Sequence, residues 1–269
     1  MYNYDNPLIT VVTACYNSAA TIEVTLKSVL AQTYQNYEYL IIDGKSTDNT
    51  LAIVERYRDK FGDKLRVISE KDTGIYNAMN KGVKNSRGEI VGILNSDDFY
   101  SETALESVAA RYAKERYPYI VINGDMIRVS SSGEEIVRCR FKEKLVEMKT
   151  CFGHPSMFAA KAVYDKIGLY DESYRLAADG EWQYRAHDDD DVRYVLTHEV
   201  YNHMREGGAS DNPKYRWMWF KERVRMKKAH NKAPMLIIYW QEFKSVIRTD
   251  LKNILPKGLI KKLYERKYR

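Results

Sequence analysis

Short apolar runs alternate with stretches of helical periodicity over the first 124 residues. The apolar runs are rich in β-branched residues and lie at 8–15, 37–43, 65–69, 89–94 and 119–124. Helical patterns separate them, the last of these at about 101–117. This alternation predicts parallel βαβ units, and uniformly apolar strands are typical of a sheet covered on both faces. We therefore predict an α/β, Rossmann-like fold with a mixed, mainly parallel sheet flanked by helices.

The end of the chain differs in charge from the rest. Residues 213–269 contain 17 Lys and Arg against 4 Asp and Glu, a net charge of +13, so residues 1–212 carry −7 of the overall +6. The change coincides with Asn212-Pro213, just after a Gly-Gly loop. We predict a domain boundary there, with an α/β body at 1–212 and a basic, amphipathic helical tail at 213–269.

An apolar stripe with basic neighbours runs along this tail. Trp217, Phe220 and Val224 fall at helical spacing, and PKGLIKKLYERKYR adds a basic cluster. Such helices suit an anionic membrane surface. They equally suit a helical cap packed on the acidic body, and the sequence leaves both interpretations open.

Composition narrows the class of protein. The chain has 269 residues, 44% of them hydrophobic, which is enough for one large core. Its three cysteines are an odd number, and the first residues, MYNYDNPLIT, have no leader pattern, so we expect a cytoplasmic protein, at the inner face of the membrane if the tail binds lipid. We expect no nucleic-acid partner, because the body is acidic and no recognition fold accompanies the basic tail.

Polar residues follow each of the first four predicted strands, at 15–18, 43–46, 70–74 and 95–98. In such sheets ligands bind at the carboxyl ends of the strands. Carboxylates gathered at one edge raise each other's pKa, so a compensating cation is expected there. Mg²⁺ and Mn²⁺ bind through one or two carboxylates plus a substrate's phosphates, which makes Asp97 and Asp98 candidate ligands. The alternative is that this pair caps the following helix.

Glycine-rich phosphate loops are missing from the expected places. The chain has neither G-x-G-x-x-G after the first strand nor G-x-x-x-x-G-K-[ST]. A nucleotide held without such a cradle needs a metal on its phosphates. This favours the metal interpretation of Asp97 and Asp98.

Three segments together resemble a known family. They read ITVVTACYNSAATIEVTLKSVLAQTYQNYEYLIIDGKSTDNT, then EKDTGIYNAMNKG, then GEIVGILNSDDFY. Their order is similar to that of the inverting family-2 glycosyltransferases with the A-type nucleotide-sugar (GT-A) fold, over roughly residues 7–210. The resemblance implies that Tyr16 stacks near the base, that Ala14 offers its backbone and that Asp43 accepts from the ring N–H of the base, usually uracil. Ordinary turn chemistry is the alternative for Tyr16 and Asp43.

The resemblance also assigns residues to the donor sugar and the metal. Asp72 and Asn80 match the segment that lines the ribose and the donor sugar, although Asn80 could equally be a helix residue without a ligand. The family's Asp-any-Asp metal motif is represented by Asn95-Ser96-Asp97, followed by Asp98. The first acid is absent, and of the two that remain the interpretation favours Asp97.

The chemistry of inverting transfer requires a carboxylate that takes the proton of the acceptor hydroxyl. The segment SYRLAADGEWQYRAHDDDDVRY places Asp179 where the family has its general base, ahead of an aromatic residue and an arginine. The alternative role for Asp179 is a helix N-cap. Glu181 is the second candidate for the base, and the acidic run 188–191 is predicted to be a solvated loop.

Two further segments resemble parts of the family's site. CFGHPSMFAAKAVYDKIGLYDE is similar to the His-containing approach to the acceptor cleft, which places His154 near the sugar or the pyrophosphate; a packed histidine is the alternative. HMREGGASDN, residues 203–212, resembles a loop that closes over the donor, with Gly207 and Gly208 as hinge and Arg205 reaching a phosphate.

The sequence thus predicts an inverting, metal-dependent, hexosyltransferase-type glycosyltransferase. It would use Mn²⁺ or Mg²⁺ to move a sugar from a nucleotide donor, with UDP expected, to a saccharide or lipid-linked acceptor in bacterial-type polysaccharide assembly. A nucleotidyltransferase of the same fold would want a basic loop early in the chain, and TACYNSAATIE has no Lys or Arg. A non-catalytic sugar-nucleotide binder is the other alternative, and it would tolerate the loss of Asp179.

Overall fold

A computed structural model of the chain describes residues 2–130, 133–141, 150–151, 153–207, 212–230 and 234–254. The strands in these residues are β1 (Ile9–Cys15), β2 (Tyr37–Asp43), β3 (Leu65–Ser69), β4 (Ile90–Ile93), β5 (Phe99–Tyr100), β6 (Ile120–Ser130), β7 (Gly133–Val137), β8 (Arg140–Phe141), β9 (Thr150–Cys151), β10 (Met157–Ala160) and β11 (Arg193–Arg205). The α-helices are α1 (Ile22–Leu30), α2 (Thr50–Glu55), α3 (Arg58–Phe61), α4 (Ile75–Asn85), α5 (Ala104–Glu115), α6 (Lys161–Ile167), α7 (Ala178–Asp188), α8 (Arg216–His230) and α9 (Met235–Ile254).

One mixed sheet organises the body, in the order β3-β2-β1-β4-β10-β6-β11-β5, with β7 paired to β6. The first four strands of this order pair in parallel, and every residue of β1 and β2 is buried, as a sheet with two covered faces requires. These strands are the apolar runs of the sequence. The α/β prediction is therefore confirmed, and the carboxyl ends of β1, β2 and β3 meet at one edge.

The sheet departs from a simple parallel series beyond β4. The short strand β10 lies between β4 and β6 and runs antiparallel to both. The strand β6 therefore keeps the direction of β4 without pairing with it. This matters for the site, because β10 directly follows the segment that carries His154.

The first helix of the basic tail packs on the body. In α8, Arg225 places its guanidinium 4.1 Å from the centre of the Tyr174 ring, and His230 is 2.9 Å from the Asp188 carboxylate. Val224 and Met226 are buried. The cap interpretation therefore describes α8.

The second tail helix packs on the first. Glu242 of α9 pairs with Arg223 and Lys227 of α8, each at 2.7 Å, and Ile238 is fully buried. Four exposed apolar side chains at helical spacing, Leu236, Trp240, Phe243 and Ile247, form what we call the outer face of α9. None of the helices in the described residues is apolar enough over sufficient length to cross a membrane. The basic cluster at 256–269 lies outside the described residues.

Candidate active site

A cleft of about 1080 Å³ opens at the carboxyl ends of β1 and β4. Its walls come from these strand ends, from the start of α4, from the segment before α7 and from α8. It brings together eight of the residues singled out in the sequence: Ala14, Tyr16, Asp72, Asp97, Asp98, His154, Asp179 and Arg205. Residues from 14 to 205 thus share one cavity.

One end of the cleft has an exposed aromatic ring beside a carboxylate. Tyr16 is 62% exposed. Gly44 lies under both side chains, because a Cβ added there would sit 2.5 Å from Asp72 Oδ2 and 3.5 Å from Tyr16 Cδ2. Glycine is thus the residue that lets Asp72 approach the turn after β2. An open ring next to a carboxylate is suited to a nucleoside.

Asp43 ends β2 beneath this surface and is fully buried. Its carboxylate accepts from the Ser69 hydroxyl at 2.7 Å and from the Ser46 amide at 3.2 Å. It therefore ties β2 to β3 and to the following loop. Its contact with a base stays a prediction.

Asn80 lies outside the lining of the cleft. Its amide nitrogen donates to the Tyr170 carbonyl at 2.9 Å and to Glu172 at 2.8 Å, and its oxygen accepts from the Tyr170 amide at 3.0 Å. All of this joins α4 to the loop at 170–172. The structure thus shows Asn80 as a helix residue that binds another segment of the protein, because both polar atoms of its side chain form hydrogen bonds there.

The two adjacent aspartates after β4 are not equivalent. Asp98 is buried and accepts from the Arg205 amide and the Asn95 side chain, both at 3.0 Å. Burial, together with the neighbouring Asp97, raises the pKa of Asp98 to about 7. Asp97 is partly exposed in the cleft, and burial raises its pKa as well. Asp98 is thus occupied by protein donors, whereas Asp97 faces the cavity.

A divalent cation suits this corner. Asp97 offers hard oxygen atoms, and partial burial of its charge makes a nearby cation favourable. In the described part of the chain, no three His, Cys, Asp or Glu side chains converge as a ready-made metal site. The residues therefore fit a cation held by one carboxylate, with the remaining ligands from water and a substrate's phosphates, rather than one enclosed by protein.

Asp179 lies in the first turn of α7 and faces the same cavity. The N-cap position belongs to Ala177, and no cap hydrogen bond comes from its side chain. The carboxylate of Glu222 in α8 accepts instead from the amides of residues 175, 176 and 177, at 2.8, 2.9 and 3.1 Å. Asp179 is therefore not the N-cap of this helix.

Tyr76 orients the Asp179 carboxylate, a contact that no pattern in the sequence indicates. Its hydroxyl donates to Asp179 Oδ1 at 2.9 Å. Burial, and next the charge of Asp179, raise the pKa of Tyr76 well above its usual range, so the phenol keeps its proton and remains a donor. Within the described residues, Asp179 Oδ2 has no hydrogen-bond partner. One carboxylate oxygen is held, and the other is available to a substrate hydroxyl.

Glu181 does not line the cleft, which overturns its candidacy as base. It is buried and forms an ion pair with Arg185, Oε1 to Nε at 2.8 Å. Arg185 also donates to the carbonyls of Ile167 and Leu169. The residues Glu181, Trp182 and Arg185 after Asp179 thus serve packing, with the Trp182 ring fully buried.

In the acidic run at 188–191, Lys166 pairs with Asp189 and Asp191.

His154 and Arg205 both reach the cleft wall. The ring Nε2 of His154 is 2.8 Å from the Tyr170 hydroxyl, and burial lowers the pKa of this histidine. Arg205 ends β11 with its guanidinium 5.9 Å from the centre of the Phe99 ring. Gly207, the first predicted hinge residue, has a φ of 108°. Gly208 and residues 209–211 lie outside the described residues.

The three residues of the apolar stripe predicted for the tail lie in different environments in the structure. Trp217 is 59% exposed, Phe220 lines the cleft and Val224 is buried. The residues of α8 that line the cleft are Arg216, Trp219, Phe220 and Arg223. Their i, i+3, i+4, i+7 spacing is a signal that the sequence contained, but it does not say which helix face meets the body.

Two curated relatives are similar to this chain in sequence. A "PGL/p-HBAD biosynthesis glycosyltransferase" of Mycobacterium bovis is 28% identical over 212 residues, which cover 77% of this chain and 80% of the relative. The "Putative teichuronic acid biosynthesis glycosyltransferase TuaG" of Bacillus subtilis is 37% identical over 101 residues, 37% of this chain and 40% of the relative.

Two solved structures share the fold. TarS 1–349 of S. aureus, solved in complex with UDP-GlcNAc, is 19% identical, has a TM-score of 0.64 and matches 91% of this chain and 72% of its own. The chain spans 43% of the longer TarS structure. The mannosyltransferase PcManGT of Pyrobaculum calidifontis, in complex with GDP-Man and Mn²⁺, has 19% identity, a TM-score of 0.61, and coverage of 91% and 69%. These similarities confirm the predicted GT-A fold.

A family profile matches the part of the chain that forms the parallel strands of the sheet and the strands that follow them. The profile described as "Glycosyl transferase family 2" matches residues 10–166, more than half of the chain. These residues include β1 to β4, the aspartates after β4, and His154. With the cleft at the ends of those strands, they establish that the chain belongs to glycosyl transferase family 2.

Proposed function

We propose that the chain is a metal-dependent, inverting glycosyltransferase that uses a UDP-linked sugar. The observation that carries this proposal is that Asp97 and Asp179 face one cleft, from different elements. One carboxylate is suited to a cation and the other, held by Tyr76, to a proton. A transfer reaction needs both, on the donor side and the acceptor side of the reacting carbon.

In the donor part of the cleft, Tyr16 and Asp72 receive the nucleoside and Arg205 lies beside the diphosphate. The choice of UDP is supported by TarS, which was solved in complex with UDP-GlcNAc. Asp97 would hold Mn²⁺ or Mg²⁺, and the complex of PcManGT with Mn²⁺ supports this. When bound, the cation supplies neutralisation of the charge on the leaving diphosphate.

In the acceptor part, Asp179 removes the proton of the attacking hydroxyl. The acceptor oxygen forms a bond to the anomeric carbon while the bond from that carbon to the diphosphate oxygen breaks. The electron pair leaves with UDP, the proton passes to the free oxygen of Asp179, and the configuration inverts. Tyr76 holds the carboxylate in place during this step.

We infer that the acceptor is a saccharide or a lipid-linked saccharide in polysaccharide assembly. The name of the relative TuaG, which refers to teichuronic acid biosynthesis, supports this inference. The outer face of α9 would rest on an anionic membrane. There Leu236 is 84% and Trp240 56% exposed, and Lys244 lies 4.8 Å from the centre of the Trp240 ring. The net charge of +13 in 213–269 complements anionic lipid. The enzyme would then work on the cytoplasmic side of that membrane.

The test is a donor screen. UDP release is measured from a panel of nucleotide sugars, with and without Mn²⁺, for the native chain and for Asp179→Asn. We expect release that depends on Mn²⁺ and falls by about 10²- to 10⁴-fold in Asp179→Asn, the size of a general-base contribution. The variant should still bind UDP. Release without metal, or an unimpaired variant, would contradict the mechanism.

Two controls complete the screen. Asp190→Asn changes an exposed aspartate outside the cleft and should retain activity. Sedimentation with vesicles tests the α9 surface: binding to vesicles with anionic lipid, weakened by Leu236→Ser, supports it. Equal recovery from anionic and zwitterionic vesicles speaks against it.

A further inference from the structure

One face of α8 forms a cleft wall that the donor does not explain. Arg216, Trp219, Phe220 and Arg223 lie on this face and line the cavity. The exposed Trp217 lies outside it. The face stands next to the segment that carries the proposed base, because Glu222 of the same helix binds the amides of residues 175–177.

A buried donor on this face lacks a partner. The indole Nε1 of Trp219 is inaccessible and has no acceptor among the residues that the structure describes. A buried donor without a hydrogen bond has lost its contact with water and gained no partner in return, which is unfavourable. The Trp219 side chain lines the cleft, so a rotation of the indole toward a bound ligand would give this N–H a ligand oxygen as its acceptor.

The charged residues around Trp219 indicate that the ligand oxygen that accepts from its N–H belongs to an anionic group. Arg216 lies one helical turn before it and Arg223 one turn after, with its guanidinium 5.7 Å from the centre of the indole ring. Glu242 forms an ion pair with Arg223, whereas Arg175 is exposed and lines the cavity with its cationic side chain. Indole and guanidinium groups all donate hydrogen bonds, and guanidinium pairs best with phosphate or carboxylate.

We propose that Arg175, Trp219 and Phe220 form the acceptor subsite, and that the acceptor carries an anionic group beside the sugar whose hydroxyl faces Asp179. This rests on the proposed function and narrows its substrate class. Arg175 lies four residues before Asp179, in the segment that leads into α7, and both side chains line the cleft, so an anion bound by Arg175 lies in the same cavity as the base. Phe220 offers an apolar surface for a sugar ring. A lipid-linked phosphate and an acidic sugar present the same oxygens.

The experiment compares three acceptors with the donor selected in the screen: a neutral oligosaccharide, the same oligosaccharide with a uronic acid, and a lipid-diphosphate-linked form. We expect kcat/KM to be at least about tenfold higher for an anionic acceptor. Trp219→Phe keeps the ring and removes the N–H, and Arg175→Gln removes the charge. Each should lower kcat/KM for the anionic acceptor about tenfold, the effect of one charged hydrogen bond, and leave the neutral acceptor unchanged.

Matched controls separate the subsite from general damage. Trp217→Phe and Arg56→Gln change exposed residues of the same types outside the cleft and should behave like the native chain on every acceptor. Within each variant, the ratio of kcat/KM for the anionic acceptor to kcat/KM for the neutral acceptor is compared with the native ratio, so that a general loss of activity cancels. Preference for both anionic acceptors, or for the lipid-linked one alone, supports the subsite and identifies the source of the anion.

Two failures are distinguishable. Transfer to neutral and anionic acceptors with equal kcat/KM overturns the anionic subsite and leaves the proposed function standing. Equal effects of Trp219→Phe on both acceptors also overturn it. No UDP release from any donor, with or without Mn²⁺, overturns the proposed function and this inference with it.

Discussion

The two walls of the cleft are held by different kinds of contact. The donor wall consists of residues that end neighbouring strands, in fixed register: Cys15 lies opposite Asp43, and the Ser18 and Ser96 hydroxyls meet at 2.8 Å. The acceptor wall, which comprises the start of α7 and the Trp219 face of α8, is held by a few polar contacts. The main ones join Tyr76 to Asp179 and Glu222 to the segment at 175–177.

This difference teaches where each kind of specificity can change. The ends of β1, β2 and β4 move little, because each of these strands is fixed by backbone hydrogen bonds on both sides, and the edge strand β3 is paired along its length with β2. The acceptor wall depends on the Glu222 carboxylate, which binds an amide 45 residues away in the sequence, and on the Tyr76 phenol, which binds Asp179 103 residues away. The donor site is therefore a property of the sheet, and the acceptor site is a property of how α8 docks on it.

The largest effect on one wall alone is expected for Asp97→Asn. Loss of the carboxylate facing the cavity should weaken Mn²⁺-dependent UDP binding by about 10- to 100-fold, the range of a hydrogen-bonded or paired charge. Titration calorimetry of UDP with and without Mn²⁺ measures this. Among the described residues, no hydrogen bond or ion pair joins the Asp97 side chain to the acceptor wall, so the KM for acceptor at saturating donor should stay unchanged.

Asp63→Asn is the control for that variant, since Asp63 is exposed and does not line the cleft. It should bind UDP and Mn²⁺ like the native chain. If Asp97→Asn binds UDP equally well with and without Mn²⁺, and as tightly as the native chain does with Mn²⁺, the assignment of Asp97 is wrong.

Glu222→Gln tests the acceptor wall alone. The substitution keeps the shape of the side chain and removes the charge that attracts three amides. A looser segment at 175–177 misplaces Asp179, so kcat should fall about tenfold, a loss of one charged hydrogen bond. UDP affinity with Mn²⁺ should remain native, because the strand ends are untouched.

The matched control is Glu102→Gln, an exposed glutamate outside the cleft, which should keep its kcat. A thermal melt of Glu222→Gln shows whether the chain remains folded. Parallel losses of UDP affinity and kcat in a folded Glu222→Gln would show that the two walls are not independent.

The sequence predicts the donor wall because its information is local. Each strand from β1 to β4 is a short apolar run, and the polar residues that follow it are adjacent in the chain. The family resemblance then placed Tyr16, Asp72 and Asp97 at one edge, and the structure shows these three residues in one cleft.

The acceptor wall escaped prediction because its contacts are not local. Nothing in IYNAMNKG indicates that Tyr76 meets Asp179, 103 residues away. The strand β10 has only four residues, and its insertion between β4 and β6 follows from sheet pairing rather than from its own sequence. Glu181 looked like a second base because spacing does not reveal that Arg185 already pairs with it.

His154 allows a smaller test, of stability rather than catalysis, at the cleft wall near Asp179. Burial lowers its pKa below the ordinary 6.5, so the folded protein holds it neutral beside the Tyr170 hydroxyl. The unfolded chain takes up this proton first as pH falls below 6.5. The free energy of unfolding should therefore be intact above pH 6.5 and decline below it, by up to about 1.4 kcal/mol per pH unit for this one residue.

Urea unfolding between pH 7.5 and 5 measures that decline, and His154→Gln should reduce its slope. His203, whose pKa burial also lowers, contributes with the same sign and remains in the variant. His198→Asn is the control, because His198 is exposed and asparagine tolerates its φ of 58°. An unchanged slope in His154→Gln would mean that this histidine is protonated in the folded protein. The neutral His154–Tyr170 contact in the cleft wall would then be wrong.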